Sequence, residues 1–562
     1  MGKKGNQFST FAGVFTPSIL TILGVILFLR AGTVIGQAGI LNAILILLLA
    51  EAISLTTAVS MSAVATNTPV AGGGAYFLIS RALGPQFGGA IGLALFFAQA
   101  LSVPFYILGF TNSLVLTLPQ LAPWFGGIAL ATAFLLFAIN WISSGAAIRL
   151  QYVIMAILCA ALFVALGGAL MHFQPSHFTA NLKPGYTSDS INFWIVFAIY
   201  FPAVTGILTG VNMSGDLKDP ARSLVRGTMA AIAVGFAIYL VQILLCGGAA
   251  ARDTLIQRPF EMLRENALFG AAFLVSAGVF AATLSSAVGS FLGAPRVLQA
   301  LSRDRIFRIL SPFARGAKDT DEPRLGLLLT LGLTVVVILM VSGQESMTAF
   351  DMIAQIVAMF FLCTYGMINL AAFVESFGGN PSFRPRFKWC HWSVSLIGFI
   401  ACAVVMILID IVAALVALVV IGVIYTILSR RVFRSAFGDA RRGFQYTLVV
   451  RTLQRLQGMT PHAKNWRPTF LVLARSTQSH LTLMKYADWM EGGRGLVTAA
   501  QVFSGDLETY AKRVAGLRDA MDSFLKDHNL AVFPEVIFAE DVDEGIRTVV
   551  QAHSIGPLKP NT

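Results

Sequence analysis

Residues 198–220 read AIYFPAVTGILTGVNMSGDLKDP: an apolar, membrane-like run that then places Pro202, Thr205, Gly206 and Gly210 where an unbroken helix would carry Leu or Ala. Proline removes a backbone donor and clashes with the preceding turn, and glycine loosens the turn after it. In lipid, the amides and carbonyls freed by such a break must find partners inside the protein, in a water-filled cavity or on a bound ion. Taken alone, the segment reads equally well as a simple proline kink. A second segment near the start of the chain, residues 11–30 (FAGVFTPSILTILGVILFLR), carries Pro17 and Gly24 in a comparable setting. Paired Gly/Pro-interrupted hydrophobic segments in corresponding halves are the best pointer in a sequence to a secondary-transporter site.

Composition fits that placement. Of 562 residues, 56% are hydrophobic and only 12% charged, with mean hydropathy +0.74. Soluble domains carry about 25% charged residues, so an integral membrane protein is implied. Residues 1–9 are polar and lead into a membrane-length apolar run, so no cleavable signal peptide is expected. The five cysteines are scattered without a C-x-x-C pair and the seven histidines without H-E-x-x-H, so neither a disulfide framework nor a zinc site is predicted.

At about 20 apolar residues per crossing, twelve spans are predicted near residues 11–36, 39–65, 86–116, 123–143, 148–171, 191–216, 224–249, 266–300, 325–343, 348–375, 391–409 and 411–429. With the N-terminus in the cytoplasm, the inner loops hold Lys3, Lys4, Arg81, Arg149, Lys218, Arg222, Arg226, the basic run 296–324 and Arg384 to Lys388. The outer loops hold only Lys183, Arg252, Arg258 and Arg264. This positive-inside asymmetry predicts a multi-pass cell-membrane protein with both termini cytoplasmic. It also accounts for the net charge of +12 without nucleic acid. Three domains are expected: a short cytoplasmic N-terminus (1–10), a twelve-helix transport domain (11–429) and a cytoplasmic region (430–562).

That last region changes character abruptly. Arg430, Arg431, Arg434, Arg441 and Arg442 precede a linking helix. Strand-like runs at 468–474, 495–503 and 531–539 then alternate with helical patterns. The helix 506–529 keeps Leu507, Val514, Leu517, Met521 and Leu525 on one side. Another helix starts at Asp541, with Glu544 three residues on as in a capping box. Alternating strand and helix imply a small α/β domain. It has no Walker A sequence, no G-x-S-x-G and no clustered catalytic trio, so a structural or regulatory role is predicted and not an enzyme.

The stretches 19–40 (ILTILGVILFLRAGTVIGQAGI), 62–67 (SAVATN), 72–93 (GGGAYFLISRALGPQFGGAIGL), 201–220, 282–301 (ATLSSAVGSFLGAPRVLQAL) and 465–473 (NWRPTFLVL) together resemble the cation–chloride cotransporter family, within the amino acid–polyamine–cation superfamily. The resemblance covers almost the whole chain in the family's order. It implies an all-α polytopic fold with a 5+5 inverted repeat and broken spans 1 and 6, two added spans used in dimerisation, and electroneutral symport of chloride with potassium, sodium or both. No cofactor is implied; the partners are the lipid bilayer, small inorganic ions and a second copy of the chain.

The two breaks suit that cargo. A helix N-terminus gathers unsatisfied amides and attracts anions. If span 1 resumes at Gly24 and span 6 at Gly206, the amides of Gly24, Val25 and Ile26 and those of Gly206, Ile207 and Leu208 face the cavity. The resemblance makes these two chloride sites, the hydroxyl of Tyr365 donating to the second. Freed carbonyls suit cations. The resemblance assigns potassium to Thr21, Ile22, Pro202, Thr205 and Tyr106, although Tyr106 alone reads as a core or interfacial tyrosine. It assigns sodium to Ser285 and Ser286 with the carbonyls of Leu20, Leu23 and Ala282. Those two hydroxyls could instead bond back one turn, and the neighbouring GAPRVLQAL resembles the sodium-independent branch.

Several residues depart from the family pattern. Thr21 and Leu23 replace bulkier or amide side chains. Asn112 stands where the family carries an acid that pairs with the arginine corresponding to Arg30. Glu51, inside span 2, is not called for by the motif, and an intramembrane acid is a functional hypothesis by default; a protonated or interface-paired acid is the other reading. Besides a potassium–chloride carrier, the alternatives are an amino-acid or polyamine permease and a non-transporting membrane sensor.

Overall fold

The computed structural model describes residues 8–67, 73–142, 144–212, 217–317, 321–341, 346–378, 383–387, 389, 391–429, 440–460 and 462–562. Most of the short N-terminus, Met213 to Asp216, Lys388, Cys390 and the basic cluster Arg430, Arg431 and Arg434 lie outside the described residues. The chain divides into two compact units, Met1–Phe444 and Gln445–Thr562.

Among the described residues, twelve helices are long and apolar enough to cross a membrane. They are, in order, Phe11–Leu29, Ala31–Asn67, Pro85–Thr117, Pro119–Ile142, Gln151–Met171, Phe193–Asn212, Pro220–Ala249, Ala272–Arg303, Arg324–Val341, Phe350–Phe377, Trp392–Ile409 and Ile411–Leu428. They are numbered here as spans 1 to 12; most ends fall within a few residues of the predicted ones, but span 1 ends at Leu29 and not at 36, span 2 begins at Ala31 and not at 39, and span 8 begins at Ala272 and not at 266. Spans 1 and 6, five apart, are the interrupted ones. Span 1 is the best enclosed, with 89% of its central window buried, so it forms the axis around which the others pack. Span 8 lies against span 3, span 7 against span 2, and span 10 against span 11. Span 12 is the least enclosed and exposes Val412, Leu415, Leu418 and Val419.

The sequence reading missed the short helix Gly74–Leu83 between spans 2 and 3. It also missed how sharply the chain turns within span 2. Gly39 adopts φ 75° and ψ 162° inside Ala31–Asn67, a conformation that glycine reaches without a Cβ penalty. The bend is laced to a loop. Ile40 N–H donates to Asn181 O (2.8 Å), Gly185 N–H to Gln37 O (2.9 Å), and Gln37 Nε2 to Thr187 Oγ1 (2.8 Å).

In the C-terminal unit, β1 (Thr469–Leu473), β2 (Leu496–Ser504) and β3 (Val532–Ala539) form a parallel sheet in the order β1-β2-β3. The crossovers are the helices Leu481–Glu491 and Leu507–Asp527. Val472, Val497, Ala499, Val536, Met484, Met521 and Leu525 close the core. Of the predicted apolar stripe, Leu517, Met521 and Leu525 pack at this core; the Leu507 side chain lies outside the described residues. Asp541 caps the last helix, its carboxylate accepting from the Asp543 and Glu544 amides.

A Cβ at Gly39 would lie 2.4 Å from the carbonyl oxygen of Lys183. Gly39→Ala is therefore expected to destabilise the protein by roughly 1–3 kcal/mol. Gly127→Ala, where nothing lies within 4 Å, should be neutral or slightly stabilising. Thermal melting of the two purified variants, with size-exclusion chromatography of each, checks the contrast.

Candidate ion-binding site at two broken helices

Span 1 consists of a π-helical turn, Phe11–Phe15, the helix Thr16–Ile22, and a second helix, Val25–Leu29. The break is at Leu23 (ψ 40°) and Gly24 (ψ −142°). Pro17 is not the breaker the sequence suggested. It sits at the first positions of Thr16–Ile22, where a missing N–H costs least. Gly24 is needed for closeness, since a Cβ there would fall 2.8 Å from Thr21 O.

Span 6 runs as Phe193–Tyr200, a 3-10 turn Phe201–Val204 that opens on Pro202, and then Ile207–Asn212. Asn192 caps its start through the Trp194 and Ile195 amides. The second helix begins at Ile207, one residue after the predicted restart at Gly206. Gly206 is where the two breaks meet: a Cβ there would be 2.8 Å from Ile22 N and 2.9 Å from Ser18 O. Only a residue without a side chain lets these two backbones touch.

Most of the carbonyls near the breaks are met by side chains from other spans. Tyr239 Oη of span 7 donates to Ile22 O (2.8 Å), and Gln242 Nε2, one turn on, to Leu27 O (2.6 Å). Tyr365 Oη of span 10 donates to Thr205 O (2.9 Å), and Ser54 Oγ of span 2 to Val204 O (3.1 Å). Thr205 Oγ1 returns to Pro202 O, and Thr21 Oγ1 to Pro17 O, both at 2.9 Å. Thr21 also meets Thr209 at 3.3 Å. Tyr239, Gln242 and Ser54 were missed in the sequence. The signal was there, as polar residues on otherwise apolar spans, Tyr239 and Gln242 at i and i+3.

The predicted ligand groups are largely brought together, in part in altered roles. Ser286 Oγ lies 3.5 Å from Leu20 O and 2.9 Å from Ala282 O, so it bonds back one turn and also faces span 1. A Cβ on Gly24 would sit 3.5 Å from the same oxygen. Ser285 is buried beside it, without a hydrogen bond to Leu20 or Leu23. Tyr106 is buried on span 3; one turn on, Gly109 packs directly on Val25. No hydrogen bond among the described residues joins Tyr106 to Thr21, Ile22, Pro202 or Thr205. The Tyr365 hydroxyl is at the span 6 break, but its one proton is engaged by Thr205 O. Val25, Ile26, Ile207 and Leu208 are buried around the restarts.

Ion pairs join elements that are distant in sequence. Arg30, which ends the second half of span 1, pairs with Asp351 at the start of span 10 (Nε–Oδ1 2.7 Å). The acid comes from span 10 and not from position 112, where the resemblance would place it. Near the other end, Asp304 follows span 8 and accepts from Arg81 (2.8 and 3.0 Å) and from Tyr76 Oη (2.6 Å). Burial first, and then the Asp304 carboxylate, hold the Tyr76 phenol well above its usual range, so it remains a donor.

Two interrupted helices touching at a glycine, ringed by hydroxyl donors, are a carrier's arrangement. The family model for amino acid permease matches residues 13–472. The chain belongs to the amino acid permease family. Along its whole length this permease-family chain is also similar to solute carrier family 12 member 2 of Mus musculus (31% identical, covering 99% of this chain and 50% of that protein). It is similar to solute carrier family 12 member 1 of Homo sapiens (31%, 99% and 55%) and to member 2 of Danio rerio (30%, 99% and 53%). The chain thus spans about half the length of the curated relatives it matches. These relatives are carriers, not enzymes.

The Arg30 side chain is only 4% exposed, so removing the Asp351 carboxylate takes a counter-charge from a buried guanidinium. Asp351→Asn is expected to cost on the order of 2 kcal/mol, between the exposed and fully buried cases, because Asp351 is itself 27% exposed. Pairing it with Arg30→Gln should recover part of that loss, and a double-mutant cycle of melting temperatures reads the coupling.

Proposed function

We propose that this chain is a secondary active cotransporter that moves chloride electroneutrally with potassium and sodium. The observation that carries this reading is the crossing of the two broken spans at Gly206 and Ile22, where helix starts and freed carbonyls converge. Chloride occupies the restarts at Gly24, Val25 and Ile26 and at Gly206, Ile207 and Leu208, the second after Tyr365 exchanges Thr205 O for the anion. Potassium takes oxygens of Thr21, Ile22, Pro202, Thr205 and Tyr106. Sodium takes Ser285 and Ser286 with the carbonyls of Leu20, Leu23 and Ala282, and the position of Ser286 against Leu20 O supports this. Similarity over 99% of the chain to solute carrier family 12 members supports the same assignment. The protein acts in the cell membrane with both termini cytoplasmic. It works as a homodimer through spans 11 and 12, in keeping with the exposed apolar face of span 12.

The match to the amino acid permease model favours one other occupant. A substrate carboxylate would lie on the amides at Gly24, Val25 and Ile26 in place of chloride.

Tracer rubidium uptake into proteoliposomes, with chloride, sodium and potassium omitted in turn, separates these readings. Uptake should require halide and sodium and ignore an imposed membrane potential, because one sodium, one potassium and two chlorides carry no net charge. Undiminished uptake in gluconate would count against chloride coupling and favour the permease. Ser285→Ala with Ser286→Ala should abolish sodium stimulation in a monodisperse protein. If the wild type shows no sodium stimulation, the carrier is a potassium–chloride one.

Tyr106→Phe removes one oxygen and keeps the ring. A contact to a charged partner is worth roughly 1.5–3 kcal/mol, so apparent potassium affinity should fall about tenfold or more. An unchanged affinity would make Tyr106 a packing residue.

A further inference from the structure

Glu51 lies within span 2 and is only 7% exposed, and its Oε2 has no hydrogen-bond partner among the described residues. A bare carboxylate cannot persist in such a place; it needs a proton or a nearby cation. One turn further along the same helix, Ser54 bonds Val204 O, which fixes this face of span 2 against the span 6 break. Spans 6, 7, 10 and 11 pack against span 2, and among their buried titratable groups are Tyr200 of span 6, Tyr239 of span 7, Tyr365 of span 10 and Cys402 of span 11. Arg252, Asp253 and Glu261 belong to short helices that pack at Gly32 and Gly36. Gly36, the nearer of the two, precedes Glu51 by fifteen residues, with the turn at Gly39 between them. No Lys, Arg or His among the described residues pairs with it.

The tyrosines are not equivalent. Tyr365 is committed to Thr205 O and Tyr239 to Ile22 O, but the buried Tyr200 hydroxyl has no partner among the described residues. The Tyr200 ring stands edge-on to that of Tyr239, with centroids 5.5 Å apart. Two unpartnered polar groups, Glu51 Oε2 and Tyr200 Oη, therefore belong to the buried packing of span 2 with spans 6 and 7.

We propose that Glu51 is a proton-binding site on the face of span 2 that packs at the span 6 break, and that this proton competes with the cation held where the two breaks meet. The inference rests on the cotransport reading above, in which Ile22 O is a potassium ligand. As the cation arrives, the Glu51 O–H bond breaks, the electron pair stays on the carboxylate and the proton leaves for water. The charge of the occupied region is unchanged by this exchange. With the proton on, the site loses one negative charge and holds the cation more weakly. A unit charge about 12 Å away, at an effective dielectric near 20, changes affinity by about tenfold. Affinity for the cation therefore rises with pH.

Two measurements on the full-length protein test this. Rubidium chloride added to weakly buffered purified protein, with a pH-sensitive dye, should release protons, while choline chloride should not. In proteoliposomes, the apparent rubidium affinity of the wild type should rise about tenfold with pH. Glu51→Gln should release no protons and show a flat profile at the weak end, and Tyr200→Phe should displace the profile. Wild-type uptake without proton release overturns the proposal even if Glu51→Gln does not fold, as does a Glu51→Gln profile that still varies with pH. A wild type that takes up no rubidium at any pH overturns the cotransport reading itself, and this coupling with it.

Discussion

A backbone carbonyl or amide inside a bilayer has no water to turn to, and the arrangement around the two breaks is a response to that. Interrupting a helix at Leu23 and Gly24, and another at Thr205 and Gly206, frees polar groups that only the protein can meet. Hydroxyl and amide donors from spans 2, 7, 8 and 10 converge on them through Ser54, Tyr239, Gln242, Ser286 and Tyr365. These spans are distant in sequence, so the breaks also organise the bundle: each donor ties its own helix to span 1 or span 6. The glycine at 206 then lets the two discontinuities share one location.

The charged groups are arranged as sparingly. Arg30 with Asp351, and Arg81 with Asp304 and Tyr76, each join elements from the two halves of the repeat. Each pair is oriented by a ring, the Arg30 guanidinium over Phe350 and that of Arg81 over Phe77. Contacts of this kind can be exchanged when one half moves against the other, which a continuous apolar seam would resist.

Much of this was legible in the residues themselves. Long apolar runs gave the twelve spans, because a bilayer demands about 20 such residues, and the Gly/Pro interruptions marked spans 1 and 6. The alternating pattern after residue 468 gave a sheet whose strands and helices fall where expected. Pro17 misled, since proline in a first turn breaks nothing. Asp351 could not be matched to Arg30 from sequence, because the pairing spans 321 residues. The donors Tyr239 and Gln242 looked like ordinary polar residues of a membrane helix, and only the packing of span 7 against span 1 reveals what they hold. Gly39 gave no warning that a loop some 140 residues later would close on it.

The hydroxyls that ring the breaks have a further consequence. Tyr239, Tyr365, Thr205 and Ser286 all bond protein carbonyls. Binding at such a place swaps one partner for another instead of filling a void, so net affinity is modest and release is quick. An exchange of partners nearly balanced in free energy runs as readily in one direction as in the other.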